Sequence, residues 1–455
     1  MGLPLGNNLW IPLVSLLVAI ITSLLVALVP YTWASLRPKN FPPGPKPLPL
    51  IGNLNLIPPS KAFLLFHQWT KKYGSIIGLK FGPTNVVVLN NWRDVQEQLI
   101  ANELICKNHT HILFAPYGDG WKALRRAAQG LFTPRKLASV LPIQEAEAIQ
   151  TAFNLIRSPD WYYKHIQQYT TAVILASALY NIQNRFTVLL EPGAAPPCAL
   201  YFRLYNATKE RMAKEIRTGC FMEKLIDDQV KNALDNEHTT YLSGILIEAG
   251  SDTTLSTLLL FLLAILKNPV NLPYIEACMH KILRWKPVAA GGIPHMLIQT
   301  DTYKDYIFPA GTIFFANTWA IHHDKTKYSN PAIFNPDRWL NRNKYGTKDN
   351  NSTLDLTAQR KTSYGWGAGR RICSGQKMAE ALLKINIAKL VWAFDFERVK
   401  GEETVDISVD TGYEGGFLVC PKKFPIKITP RSEGRVAVIK KEFEGLKGFY
   451  EKLAS

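Results

Sequence analysis

A single cysteine among glycines and arginines carries the clearest chemistry in this sequence. It is Cys373, in the segment WGAGRRICSG at 366–375. Glycine tolerates tight backbone reversals, and Gly367 and Gly369 lie where a reversal would bring amide N–H groups up to the sulfur. A thiolate on a loop that opens a helix is a soft anionic ligand for iron, and Arg371 can meet a carboxylate of a cofactor that holds the iron. The pattern therefore predicts an iron site with Cys373 as ligand.

Two simpler interpretations of Cys373 are weaker. A buried structural thiol is the commonest fate of a lone cysteine, but it does not require the surrounding glycines and arginines. A zinc site needs four ligands at short spacings. The sequence has no C-x-x-C, and the other cysteines are scattered singly, as Cys106, Cys198, Cys220, Cys278 and Cys420.

A polar island, residues 248–254, interrupts the long apolar stretch 242–266. A second membrane span is one interpretation, but it would place Glu248 and Asp252 at the costly centre of the bilayer. A buried helix beside a polar cavity is the better prediction. A threonine in a helix, such as Thr253, often bonds only to a carbonyl of its own helix.

Trp121 and Arg125 stand four residues apart and would share one helical face. Both can donate hydrogen bonds to an anion. The alternative is an arginine stacked on a surface tryptophan, which is a common arrangement.

The N-terminal region predicts a membrane anchor. Residues 9–29 carry no charge and are long enough to span a bilayer. Basic residues follow at Arg37, Lys39 and Lys46, which places the remaining chain on the cytoplasmic side. The net charge of +17 suits contact with anionic lipid. Nucleic acid is not predicted as a partner, because no basic cluster is interleaved with aromatic residues.

The rest of the pattern predicts a mainly α protein with small β-sheets. A hairpin is expected at 78–89, with its turn at Gly82-Pro83, and further strands at 311–321 and 417–428. Long helical patterns dominate after Trp121. A C-terminal helix is expected from an apolar face that comprises Ile439, Phe443, Leu446, Tyr450 and Leu453.

Together these segments resemble the cytochrome P450 family. The cysteine loop matches its haem-binding signature F-x-x-G-x-R-x-C-x-G with Trp366 in place of phenylalanine. Residues 249–254 match A-G-x-D-T-T, and 121–125 match W-x-x-x-R. The segment 42–45, PPGP, resembles the hinge that follows the anchor in microsomal members. The resemblance implies the cytochrome P450 fold after one transmembrane helix, divided into an anchor at 1–37, a hinge at 38–50 and a haem-binding catalytic domain at 51–455.

The resemblance also implies the roles of the site residues. Cys373 would ligate the iron of haem b. Trp121, Arg125 and Arg371 would hold the haem propionates, and His295 occupies a strand position that commonly meets the second propionate. Thr253 and Asp252 would relay protons to dioxygen.

The expected activity is that of a haem-thiolate monooxygenase that oxidises an apolar small molecule. An NADPH-dependent flavoprotein reductase would supply electrons and would dock on the basic face around Cys373. The resemblance to filamentous-fungal members, in the segment around Trp366 and the helix at 274–287, suggests secondary metabolism. The expected location is the endoplasmic reticulum membrane, with one span and a cytoplasmic catalytic domain.

One position departs from the family pattern. The E-x-x-R motif of the family corresponds to residues 281–284, where Lys281 replaces the glutamate. In the family that glutamate would join the arginines at Arg284 and Arg338 in a buried triad. At about 4 Å and an effective dielectric near 20, each like-charge pair costs on the order of 4 kcal/mol. Lys281 could lose its proton or swing outward, with Glu276 or Glu380 recruited instead.

Several spacings are also shorter than in the family: between Thr253 and Lys281, between Arg125 and Ala249, and ahead of Trp121. The second hypothesis is therefore a degenerate, non-catalytic member, or a misjoined gene, with impaired haem binding.

Overall fold

The computed structural model describes residues 10–98, 112–113, 115, 117–179, 197–267, 275–336, 364–401 and 405–454. The helices are α1 Trp10–Ala34, α2 Ala62–Tyr73, α3 Trp92–Gln98, α4 Asp119–Leu131, α5 Pro134–Arg157, α6 Tyr162–Leu179, α7 Pro197–Ala213, α8 Phe221–Asp227, α9 Asn236–Lys267, α10 Ile275–Trp285, α11 Thr318–His322, α12 Gln376–Ala393 and α13 Glu433–Ala454. The strands are β1 Ile76–Phe81, β2 Thr84–Leu89, β3 His295–Met296, β4 Asp301–Tyr303, β5 Tyr306–Phe308, β6 Ile313–Ala316, β7 Phe394–Glu397 and β8 Lys427–Pro430.

One compact unit comprises Met1–Glu103 and Ile293–Asn317 and is built on a four-stranded sheet of order β1-β2-β6-β3. β1 and β2 form the antiparallel hairpin that the sequence predicts, and β2 pairs with β6 in parallel. Alternate side chains of the hairpin pack against α2, where Phe66 meets Ile77 and Val88. The apolar face of the sheet is therefore covered by the helix that precedes it in sequence.

The proline-rich segment lies along this same sheet. Arg37, just after α1, donates from Nη2 to the carbonyl oxygens of Pro45 at 2.8 Å and Gly78 at 3.3 Å. A Cβ at Gly44 would lie 2.1 Å from the carbonyl oxygen of Gly78, so only glycine allows this approach. Burial lowers the pKa of Arg37. The guanidinium thus ties the segment to β1.

Within the described residues, two helices are long and apolar enough to cross a membrane by length and composition alone. The first is Val14–Ala34, none of which is buried inside the molecule. The second is Asn236–Leu266, of which 78% of the most apolar window is buried. Burial of the second favours a core helix, as the sequence predicts, and the first is the candidate anchor.

The second compact unit comprises Leu104–Gly292 and Thr318–Ser455, and α9 lies in its core. This helix packs against α6, α7, α10 and α12 and also reaches α4. Residues Leu258 to Ala264 are at most 1% exposed, because neighbours surround that part of the helix. α9 is therefore the element on which the others are assembled.

α13 is attached to this unit through α5. The ring of Phe443 stacks on Phe153 with centroids 3.7 Å apart, and the Tyr450 hydroxyl donates to Glu147 at 3.1 Å. Ile439 and Leu446 are buried on the same face. The helix expected at the C-terminus is thus present and packs on the unit.

Two expected strands are shorter than predicted. The stretch 311–321 forms a strand only at β6, and α11 begins at Thr318. Within 417–428, only the final two residues enter β8, and Phe417 is exposed. Apolar composition was the signal in both cases, and it cannot separate a short strand from the buried turn or helix beside it.

Candidate haem site

The cysteine loop is folded by its glycines and by its own backbone. Two single-turn helices, Tyr364–Trp366 and Gly369–Arg371, lead into it. Gly367 has φ +79 and Gly369 has φ +56, which are left-handed conformations that favour glycine. The amide of Cys373 donates to the carbonyl of Trp366 at 2.8 Å and closes the loop. The reversal expected at the two glycines is present.

The sulfur of Cys373 lies at the start of α12. Backbone amides of Gly375 and Gln376 donate to it, and the positive end of a helix favours a thiolate. Protein crowds the sulfur even though the residue has an exposed surface. That burial raises the pKa of the thiol. The two amides and Arg125 lower the same pKa, but burial is the larger effect. A bound metal cation would favour the thiolate form.

Trp121, Arg125 and Arg371 converge on this loop. The guanidinium of Arg371 lies 4.2 Å from the ring centre of Trp121. Trp121 Nε1 and Arg371 Nη1 both donate to the carbonyl of Ile112, at 3.2 and 3.3 Å. Arg125 Nη1 donates to the hydroxyl of Ser374 at 2.6 Å, beside the cysteine. Both residues on α4 are thus oriented toward the cysteine loop, and the arginine stacked on the tryptophan is Arg371.

These residues fit a haem. The site offers one sulfur ligand at a helix start and three N–H donor side chains, two of them cationic, within the same cluster. Such donors suit the two propionates of a haem, and a cysteine thiolate is an established ligand of haem iron. Burial lowers the pKa of Arg125, and the charge of Cys373 acts in the opposite direction.

The polar island lies on α9, which packs against α4 and α12. Asp252 is exposed on this buried helix and Thr253 is partly buried. The hydroxyl of Thr253 donates to the carbonyl of Ala249 at 2.6 Å, so the bond back to its own helix is present. A Cβ at Gly250 would lie 2.6 Å from Ile174, so this glycine allows α6 to pack closely on α9.

Comparison with known proteins agrees with this geometry. The sequence model of the family described as Cytochrome P450 matches residues 42–158 and 270–428, more than half of the chain. The chain belongs to the cytochrome P450 family. It is accordingly an oxidoreductase that incorporates oxygen, and its family implies a haem iron held by a cysteine thiolate.

The similar proteins include fungal members of the family. Cytochrome P450 monooxygenase virE of Hypocrea virens is 29% identical, over 91% of this chain and 90% of that protein. Cytochrome P450 monooxygenase patH of Aspergillus clavatus is 28% identical, over 90% and 92%. A solved zebra fish cytochrome P450 with abiraterone has a TM-score of 0.66 at 20% identity and covers 83% of this chain and 100% of its own; this likeness shows the fold.

The alignments also bear on the short spacings. The match with virE extends over 498 positions, whereas this chain has 455 residues, so virE carries segments without a counterpart here. The family model leaves 159–269 unmatched. This interval covers residues 159–249, which are most of the spacing between Arg125 and Ala249 that the sequence indicates to be short.

His295 lies in the other compact unit, on β3, where it pairs with Phe314 of β6. Its side chain is partly buried. The assignment of His295 to the second propionate stays a prediction.

The E-x-x-R helix of the family is α10, and both Lys281 and Arg284 are completely buried on it. Arg284 donates to the carbonyl oxygens of His322 and of Pro331, the latter at 2.6 Å, and its guanidinium lies 4.8 Å from the ring centre of Tyr328. Backbone carbonyls therefore accept hydrogen bonds from both terminal nitrogens of this arginine. Arg338, the third member of the expected triad, lies outside the described residues.

The two carboxylates considered as substitutes bond to other groups. Glu276 pairs with Lys384 at 3.3 Å and is half exposed. Glu380 accepts from Gln376 at 2.8 Å and pairs with Lys377. Neither contact directs a carboxylate toward the buried face of α10.

Two contacts at the site were not predicted from sequence, one between His322 and Tyr364 and one between Tyr201 and Glu248. His322 accepts the amide of Tyr364 through Nε2 at 3.1 Å, which ties α11 to the cysteine loop. The hydroxyl of Tyr201, on α7, donates to Glu248 of the polar island. A glycine inside an apolar helix, Gly244, was the available signal for the second contact, because such a glycine often marks a close approach.

Proposed function

We propose that this protein is a haem-thiolate monooxygenase that inserts one oxygen atom from dioxygen into an apolar small molecule. The observation that carries the proposal is the cluster around Cys373, where two amides reach the sulfur and Trp121, Arg125 and Arg371 surround the loop. A structural thiol would need neither the helix start nor the convergent donors.

Each residue of the cluster has a role in this proposal. Cys373 ligates the iron of haem b, and the bound haem supplies oxygen activation, which an axial thiolate promotes. Trp121 donates from its indole nitrogen, and Arg125 and Arg371 donate from their guanidinium groups, to the propionates. In the structure these donors reach Ile112, Ala115 and Ser374, so binding would exchange carbonyl and hydroxyl acceptors for charged ones.

Thr253 and Asp252 supply protons in this proposal. The exposed carboxyl group of Asp252 can take a proton from water, and Thr253 is the next residue on the same helix. The proton of Thr253 is donated to Ala249, which leaves the lone pairs of its oxygen as acceptors. Adjacent side chains of a helix do not face each other, so a solvent water would complete the path for a proton between the acid and the alcohol.

The partners follow from charge and hydrophobicity. Exposed cations lie near Cys373 in sequence and structure, namely Lys122, Arg126, Arg370 and Lys377. An NADPH-dependent flavoprotein reductase with an acidic face would dock there. Residues 1–37 would anchor the chain in the endoplasmic reticulum membrane, 38–50 would form the hinge and 51–455 the cytoplasmic catalytic domain. The similarity to cytochrome P450 monooxygenases of filamentous fungi supports the proposed role in secondary metabolism.

The CO difference spectrum of the reduced full-length chain tests the proposal. A thiolate-type band is expected in the wild type, together with oxidation of apolar compounds when the reductase and NADPH are added. A chain that takes up haem but gives a band without thiolate character would contradict the assignment of Cys373.

A second candidate is a non-catalytic member with impaired haem binding. The observation that favours it is the burial of two basic side chains, Lys281 and Arg284, one turn apart on α10. The Lys281→Glu variant separates the two. A weak band that this substitution strengthens would locate the defect in α10, whereas a full band in the wild type would reject the second candidate.

A further inference from the structure

A stripe of polar residues lies on the otherwise buried helix α9. Glu248, Ala249 and Asp252 are exposed, and Thr253 is partly buried. Residues separated by four positions share a helical face, so the carboxyl groups of Glu248 and Asp252 are neighbours one turn apart. Two acids at this spacing repel each other when both are charged, which is an unusual arrangement for a helix that crosses a core.

Tyr201 on α7 fixes the first of these acids. Its hydroxyl donates to Oε1 of Glu248. Its ring lies against the backbone of α9 at Gly244, where a Cβ would be 2.4 Å from the ring, so the approach depends on this glycine. The ring of Tyr241 packs against that of Tyr201 edge-on, with centroids 6.2 Å apart. Tyr201 is 6% exposed and is therefore held in place from two sides.

The charge of Glu248 affects the pKa of Asp252. Burial raises the pKa of Asp252, and the negative charge of Glu248 raises it further. An adjacent helix also makes an apolar contact with this stretch, where Ile174 of α6 lies at Gly250. Within the described residues, Glu248 is thus the charged group that acts on Asp252.

We propose that Tyr201 and Glu248 are positioning residues for proton delivery, in which Tyr201 fixes the Glu248 carboxylate one turn before Asp252 and Glu248 makes Asp252 retain a proton for Thr253. The proposal rests on the proposed monooxygenase function. The hydroxyl of Tyr201 donates to the Glu248 carboxylate and holds that group at its place on the helix. From there the negative charge of Glu248 favours the protonated form of Asp252, the residue adjacent to Thr253.

Two proton transfers connect Asp252 with dioxygen. The O–H bond of the Asp252 carboxyl group breaks, and its proton passes through a solvent water to Oγ1 of Thr253, because adjacent side chains of a helix do not face each other. The original hydroxyl proton of Thr253, donated to Ala249 in this structure, is released to the dioxygen being reduced. Electrons come from the reductase, and water returns a proton to the exposed carboxylate of Asp252.

The decisive test measures the protonation of Asp252 directly. Its carboxyl band is identified by the infrared difference between the wild type and Asp252→Asn, and is followed against pH in the full chain. We expect Glu248→Gln and Tyr201→Phe each to lower the midpoint, by about one pH unit for Glu248→Gln. Glu237→Gln is the matched control, because Glu237 is exposed in the first turn of the same helix, and it should leave the midpoint unchanged.

An unchanged midpoint in Glu248→Gln would overturn the proposal, and this variant remains decisive if Tyr201→Phe fails to fold. A second measurement in the haem-loaded protein is the fraction of NADPH electrons that appear as hydrogen peroxide. We expect this fraction to rise several-fold in Glu248→Gln and to be unaffected by Glu237→Gln. An unchanged fraction in Glu248→Gln would contradict the role in proton delivery.

The two proposals fail in different ways. A wild type without a thiolate band, but with the shifted midpoints, would contradict the monooxygenase function and support the pairing of Glu248 with Asp252. A normal band with unshifted midpoints would contradict the pairing alone.

Discussion

The cysteine loop and the layer behind it, formed by α10 and α11, are held in place by different kinds of bonds. The loop, residues 364–375, is closed by backbone hydrogen bonds and by two glycines with positive φ. The layer depends on buried side chains from distant parts of the sequence. The loop matches the family at the specified positions apart from Trp366, whereas the layer carries Lys281 in place of glutamate. A local backbone motif can thus be complete while its support differs.

The contacts between the two regions show how this support is built. Arg284 donates to the carbonyl of His322, and the imidazole of His322 accepts the amide of Tyr364 at the start of the loop. The loop is therefore linked to α10 through a neutral histidine and a carbonyl. In this chain the hydrogen bonds of Arg284 that the structure shows need no carboxylate at position 281.

The largest effect is expected from the loop itself. Cys373→Ser replaces the thiolate by a hydroxyl, which is a poor ligand for haem iron. The thiolate-type CO band should disappear and the monooxygenase activity should fall at least 100-fold, about 2.7 kcal/mol in transition-state stabilisation. Cys420→Ser is the control, because Cys420 lies by Tyr163 on another part of the unit and should keep the band. An intact band in Cys373→Ser would assign the ligand elsewhere.

The second-largest effect is expected from the layer formed by α10 and α11. Arg284→Met leaves the carbonyls of His322 and Pro331 without the guanidinium that donates to them and should lower the free energy of unfolding by about 2 kcal/mol. Urea titration of the full chain measures this change. Arg217→Met is the control, because Arg217 is exposed and pairs with Asp227, and it should leave the free energy of unfolding nearly unchanged. Equal effects of the two variants would reject a supporting role for Arg284.

This difference between the regions also explains what the sequence could predict. Cys373, Gly367 and Gly369 stand close together in sequence, so their chemistry and their backbone reversal could be deduced from spacing. Trp121 and Arg125 share a helical turn, and their common orientation could be predicted as well. The hairpin of β1 and β2 and the buried helix α9 were predictable from the period and length of their apolar patterns.

Contacts between distant residues were not predictable in the same way. His322 and Tyr364 are 42 residues apart, and Tyr201 and Glu248 are 47 apart. No spacing rule connects such residues, since only the folded arrangement of helices brings them together. The carbonyl partners of Arg284 have a further disadvantage, because backbone acceptors have no signature in the side-chain sequence.

A smaller effect is expected from a single propionate donor. Arg125→Gln removes a cation beside the loop, whereas Trp121 and Arg371 remain in place. We expect the affinity for haem to fall about tenfold, which corresponds to about 1.4 kcal/mol. Transfer of haem to an excess of a haem-binding acceptor protein measures the change. The neighbouring exposed residue provides the control, since Arg126→Gln alters the same net charge and should leave haem affinity within twofold.

The smallest effect concerns the histidine that links the two regions. Burial lowers the pKa of His322 well below its usual value, and the charge of Arg284 contributes in the same direction. An unfolded histidine has a pKa of about 6.5, so below that pH the unfolded chain binds a proton that the folded chain does not. Stability is therefore lost as pH falls, at up to about 1.4 kcal/mol per pH unit.

His322→Gln removes this titration, so the loss of stability between pH 7 and 5.5 should be smaller than in the wild type by about 1 kcal/mol. Urea unfolding at the two pH values measures it. His165→Gln gives a graded control, because His165 is half-buried and its lowered pKa is opposed by a bond to Ser158, so its effect should be weaker. An unchanged pH dependence in His322→Gln would mean that His322 is not the neutral link, and that the loop depends on α10 through other contacts.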